Sequence, residues 1–191
     1  SNPATAFAGA GFQPNTAFAG RLNSNAWSGS GWSDPALPFG GTATGNDYGR
    51  GSTAIAVTQG GIYAYVGAPN SVANPAMMFQ PGGSDFTPGN LTLRIRNDGS
   101  SIINQLAISY KIYQRNDMGR SNSFNLSYSY DDVNYTPFTV YDYVTPGTAD
   151  LAGWVLGSNM TGSSITGLNI PPTTMFYLRW TSDDVSGTGS R

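Results

Sequence analysis

An antiparallel two-sheet β-sandwich of jelly-roll type is what this sequence predicts, and three observations predict it. Apolar residues recur at every second position in several short stretches, turn-forming residues separate those stretches, and no stretch sustains the 3.6-residue period of a helix. The 191 residues are 39% hydrophobic and 13% aromatic, enough to build the core of one large domain or two small ones.

Residues 1–52 are rich in Gly, Ala, Asn, Ser and Pro, with aromatics spaced singly at Phe7, Phe12, Phe18, Trp27, Trp32, Phe39 and Tyr48. This composition predicts a loop-rich segment pinned to the sandwich by isolated aromatic anchors, with a partly mobile linker as the competing reading. The tetrapeptide Ala6-Phe7-Ala8-Gly9 returns at Ala17-Phe18-Ala19-Gly20, but two copies do not make a solenoid. The sandwich proper is expected over 53–191, and the two parts together also fit a single domain.

Alternation begins with Ile62, Ala64 and Val66 and continues with Leu91, Leu93 and Ile95, between which lie Thr92, Arg94 and Arg96. Leu106, Ile108, Tyr110 and Ile112 keep the same period, as do Phe124, Leu126, Tyr128 and Tyr130 against Asn125, Ser127 and Ser129. These read as half-buried strands with one apolar face. Further strands are expected at about 135–144, 152–156, 163–170 and 175–181. Asn97-Asp98-Gly99, Asn116-Asp117-Met118-Gly119, Pro146-Gly147 and Pro171-Pro172 supply the turns between strands.

Only 10% of residues are charged, and the sequence has no His, Cys or Glu; its 11 acids are all Asp, and its 9 bases are Arg except for Lys111. That inventory excludes Ser-His-Asp and Cys-His nucleophile systems, thiolate chemistry, His-ligated haem and zinc sites of the usual ligand type. It leaves glycoside hydrolysis by paired Asp and hard cations held by oxygen. The net charge of −2 and the lack of any basic run argue against nucleic-acid binding. No apolar stretch is long enough to form a transmembrane segment, and no basic-then-apolar leader opens the chain, which reads as a mature segment.

Phe86-Thr87-Pro88-Gly89-Asn90-Leu91-Thr92-Leu93-Arg94-Ile95-Arg96-Asn97, then Ile108-Ser109-Tyr110-Lys111-Ile112-Tyr113, then Asn116 to Phe124, and finally Leu178-Arg179-Trp180-Thr181-Ser182-Asp183-Asp184 form a connected pattern. Over roughly residues 45–191 it resembles the non-catalytic β-sandwich (jelly-roll-like) modules of large secreted bacterial surface proteins. The resemblance implies a secreted or cell-surface location beside adhesive repeats, hydrolases or a sorting signal. The pattern in such modules continues past the final Arg into an acidic segment and one more strand, whereas this sequence stops at Arg191. A sandwich short of that strand offers an open edge for strand addition by another chain.

Four groups of residues are candidates for a site. Asp183 and Asp184, followed by Ser186, Gly187 and Ser190, supply the oxygens of a Ca²⁺ site, against which stands a solvated turn. Asp131 and Asp132, ahead of Asn134-Tyr135-Thr136, read as a turn or as ligand-binding carboxylates. Sugar stacking on an aromatic face draws on Trp27, Trp32, Tyr63, Tyr65, Tyr113, Tyr141 and Tyr143, with Trp27 and Trp32 preferred because burial is least forced around them. Trp154 and Trp180 are expected in the core. Arg94, Arg96, Arg115 and Arg120 form an anionic-ligand patch if they cluster, and otherwise pair or solvate.

The sequence thus points to an extracellular non-catalytic module for adhesion or carbohydrate binding, steadied by Ca²⁺, with a polysaccharide or glycan surface and neighbouring domains of the same assembly as partners. The alternative is a structural subunit of a surface filament or sheath built by β-strand donation.

Overall fold

The computed structural model describes residues 6–14 and 18–187. The protein is all-β with several antiparallel sheets, compatible with a β-sandwich. It divides into two compact units, one running to Leu91 and the other starting at Thr92. The N-terminal loops belong to the same unit as the strand that follows them, to which they are bonded.

The first unit contains β1 (Phe12–Gln13), β2 (Leu22–Asn23), β3 (Trp27–Ser30), β4 (Ser52–Thr53), β5 (Gly61–Tyr65) and β6 (Ala76–Gln80), and it ends within β7 (Gly89–Arg96). β5 is central, parallel to β4 and antiparallel to β6. Gly51 donates its N–H to the Gly9 carbonyl at 2.9 Å and accepts from the Ala64 N–H at 3.0 Å, which ties the early loops to β5. All five residues of β5 are buried, so the expected half-buried alternation at Ile62 and Ala64 gives way to a strand covered on both faces.

Two of the single aromatics hold loops within the first unit. Phe12 and Tyr48 are buried and meet edge to face at 6.0 Å, and the Tyr48 hydroxyl donates to the Gly29 carbonyl while accepting from the Leu37 N–H. Burial pushes the Tyr48 phenol up to about 12.

The second unit continues β7 and adds β8 (Ile103–Ala107), β9 (Tyr110–Arg115), β10 (Ser121–Ser129), β11 (Thr136–Pro137), β12 (Tyr143–Val144), β13 (Trp154–Met160), β14 (Ser164–Ile170), β15 (Met175–Ser182) and β16 (Asp184–Ser186). One sheet has the order β11-β10-β15-β7, with β12 and β16 both pairing along β10. The expected strand at 135–144 is interrupted by a 3₁₀ turn at Thr139–Tyr141, just after Pro137, which has no N–H to continue a ladder.

The remaining strands make a long antiparallel ribbon, with β9 on β13 and β8 on β14. Leu126, Phe176 and Leu178 from the sheet pack with Met160, Ile165, Leu168 and Ile170 from the ribbon to form the core. The ribbon breaks between β8 and β9, and Tyr141 fills the break. Its hydroxyl donates to the Ile108 carbonyl at 2.8 Å and accepts from the Ser163 N–H at 3.3 Å, satisfying groups that the ladder leaves open.

A β-bulge in β13 places Gly157 where an added Cβ would collide with the Tyr143 hydroxyl, which itself donates to the Gln114 side chain. Gly157→Ala is accordingly expected to lower stability by about 1–3 kcal/mol, the usual range for an overpacked interior. Urea denaturation of the two proteins measures the difference.

Candidate functional site

In an antiparallel ribbon, directly opposed residues project from the same face, and so do residues two apart on one strand. On β9, Tyr110 and Ile112 pack against the core and Gln114 is buried, so Lys111, Tyr113 and Arg115 belong to the opposite face. The register sets Trp154 opposite Arg115, Leu156 opposite Tyr113 and Asn159 opposite Lys111. By this register the face of β9 and β13 away from the core carries two aromatic residues, a leucine, an amide and two cations. Lys111, Leu156 and Asn159 are exposed, while Tyr113, Arg115 and Trp154 are half-buried.

Opposed side chains on such a ribbon have Cβ atoms about 4.5–5.5 Å apart. Neighbours along one strand are about 6.6 Å apart, twice the rise per residue. The rings thus lie within a single sugar-sized area, with polar groups at its margins. The strip is rigid because its other side is core: Ile112 and Tyr110 pack there, and Tyr110 meets Trp180 edge to face at 5.9 Å. Beyond β9, Asn116 is buried and donates to the carbonyls of Pro146 and Thr148, both at 2.7 Å, clamping the loop that leads into β13.

Asp131 and Asp132 lie elsewhere, in the turn after β10. Asp131 accepts from the backbone N–H groups of Val133 and Asn134, from the Asn134 amide and from the Ser129 hydroxyl. Those donors hold its carboxyl well below the usual aspartate range, the Asn134 bonds contributing most. Asp132, at φ 61°, accepts from Tyr135 and, at 3.1 Å, from Arg179, whose guanidinium lies 3.8 Å from the centre of the Tyr135 ring. Arg179 also donates to Thr92 at 2.9 Å. Burial and the Asp132 bond together raise the Tyr135 phenol. Both aspartates are thus taken up in building the turn and bracing it against the sheet.

A depressed carboxyl contributes stability that is full above its unfolded value and is lost as pH falls through the folded value. Wild-type stability should therefore decline below about pH 3.9, and Asp131→Asn should remove part of that decline. Urea midpoints measured at about pH 6 and about pH 2.5 provide the comparison.

The preferred sugar-stacking tryptophans are not an exposed pair. Trp32 is buried, stacked on Phe86 at 4.9 Å and on Phe79 at 6.5 Å, so its faces serve packing. Trp27 is half-buried in β3. Trp180 packs on the core cluster, whereas Trp154, opposite Arg115, is half-buried with its indole nitrogen covered and is not among the residues of that cluster.

Asp183 and Asp184 straddle the approach to β16. The Asp183 carboxylate accepts from the Asp184 N–H at 2.9 Å, and the Asp184 carboxylate accepts from the Asn122 amide at 2.8 Å. The side chains thus support the bulged pairing of β16 with β10. Ser190, the last oxygen donor expected there, lies outside the described residues, and among the described residues no three acidic side chains gather as metal ligands. Asp34 and Asp47 each accept the other's backbone N–H, and Asp47 also pairs with Arg50 at 2.7 Å.

Among the described residues, no helix is long and apolar enough to cross a membrane. Comparison of the chain with protein-family models, with curated proteins and with solved structures gave no match.

Proposed function

We propose that the protein is an extracellular, non-catalytic recognition module that holds a glycan on the outer face of β9 and β13. Within this reading the second unit is a sandwich of jelly-roll type with the ribbon as its second layer. The observation that carries the reading is the placement of Tyr113 and Trp154 on the side of the ribbon away from the core, beside exposed Asn159 and Lys111. An aromatic ring presents an apolar surface to the C–H face of a sugar, and amide and ammonium groups bond its hydroxyls. Asp131, Asp132, Asp183 and Asp184, by contrast, accept from protein donors, and the reading assigns them no turnover.

A glycan array spanning plant, bacterial and animal polysaccharides tests the proposal. Binding to at least one class, undiminished in Asp131→Asn, is expected; an array without any binding refutes it.

Assembly by strand addition is a second reading, favoured by one observation: among the described residues the ribbon strands β8, β9, β13 and β14 pair only with each other. Their outer backbone groups could then accept a further strand. Sedimentation at micromolar concentration should show association on this reading, and a single monomeric species removes it.

A further inference from the structure

We infer that the glycan is an acidic polysaccharide, carrying carboxylate or sulfate groups, read by Lys111 and Arg115 on either side of the Tyr113 ring. This inference rests on the proposed glycan-binding role of the same face. Lys111 is the only lysine in a chain whose acids outnumber its bases, 11 to 9. Its ammonium forms none of the ion pairs found among the described residues, although those pairs take up Arg50, Arg96, Arg115 and Arg179. The residue opposite it, Asn159, is neutral. An exposed, uncompensated cation is thus held beside an aromatic ring on a protein of net charge −2.

Spacing adds to the charge argument. Lys111 and Arg115 are four residues apart on one strand, about 13 Å, with Tyr113 midway between them on the same face. That arrangement suits an extended, repeating polymer that presents an anionic group on each side of a stacked ring. Lys111 offers a hydrated point charge, and Arg115 a planar fork. Asp117 accepts from the Arg115 guanidinium at 3.2 Å, the two side chains being 37% and 49% exposed, so an incoming carboxylate or sulfate can replace it at little cost.

Affinity electrophoresis through gels containing polygalacturonate, chondroitin sulfate or neutral dextran and galactan tests the inference. Retardation is expected in the acidic gels and should weaken as salt is raised. Lys111→Gln should bind about threefold more weakly, the effect of one exposed charge pair, while Lys111→Arg should retain affinity. Comparing the first two gels tells carboxylate from sulfate recognition.

Equal retardation in neutral and acidic gels, unaffected by Lys111→Gln, overturns the acidic inference and leaves the glycan reading standing. Retardation that survives Tyr113→Ala unchanged also overturns it, because the attraction then owes nothing to this face. Failure to bind any polysaccharide, neutral or acidic, defeats the glycan reading itself.

Discussion

Tyr141→Ala should destabilise the second unit by about 3–5 kcal/mol, a large share of the roughly 5–15 kcal/mol that holds a typical domain together. The ring is 2% exposed and makes edge contacts with Tyr110 at 5.7 Å and Phe138 at 5.1 Å, so its removal leaves a cavity among aromatic neighbours. Its hydroxyl also serves the Ile108 carbonyl and the Ser163 N–H where the ribbon breaks. Tyr141→Phe separates the two contributions: it keeps the ring and strands those backbone groups, at a cost of about 1–3 kcal/mol. Chemical denaturation of the three proteins gives the series. A phenylalanine variant as stable as wild type would mean that the break in the ribbon is satisfied without the hydroxyl.

Loss of the two outer rings is the second large effect. On the proposed reading, Tyr113→Ala combined with Trp154→Ala should weaken glycan binding by about 2 kcal/mol or more, roughly 30-fold, because aromatic anchors dominate binding surfaces of this kind. Neither ring is among the residues of the core cluster. Calorimetric titration gives the affinity, and a melting curve shows that the fold is kept. Single variants apportion the loss between the rings, and their sum need not match the double because the rings share one small area.

The face proposed for glycan binding was half visible in the sequence. Leu106, Ile108, Tyr110 and Ile112 mark the core side by alternation, and the complementary set Lys111, Tyr113 and Arg115 follows from the same period. Trp154 could not be assigned that way. Glycines at 153 and 157 flank it, and the bulge at Gly157 shifts the phase of β13 against β9, so alternation along β13 alone does not fix which side a residue takes. Only the pairing with Arg115 settles its side.

Long-range packing hid the other differences. Trp32 stands in a Gly- and Ser-rich stretch with nothing nearby to bury it, yet Phe79 and Phe86, far along the chain, stack against it. The early loops are likewise tied to β5 by backbone bonds from the Gly51 N–H to Gly9 and from the Ala64 N–H to Gly51, contacts that composition does not encode. The turn at Asp131 was legible because an aspartate that accepts from residues two and three ahead is a local motif, written within five positions.

The most direct test of the proposed glycan-binding face is a backbone amide NMR titration with whichever polysaccharide fragment binds on the array. Shifts concentrated at Lys111, Tyr113, Arg115, Trp154, Leu156 and Asn159, with the Asp131–Tyr135 turn and the first unit undisturbed, are the predicted result. Shifts confined to that turn, to the surroundings of Trp27 or to the Asp183–Asp184 bulge would contradict it.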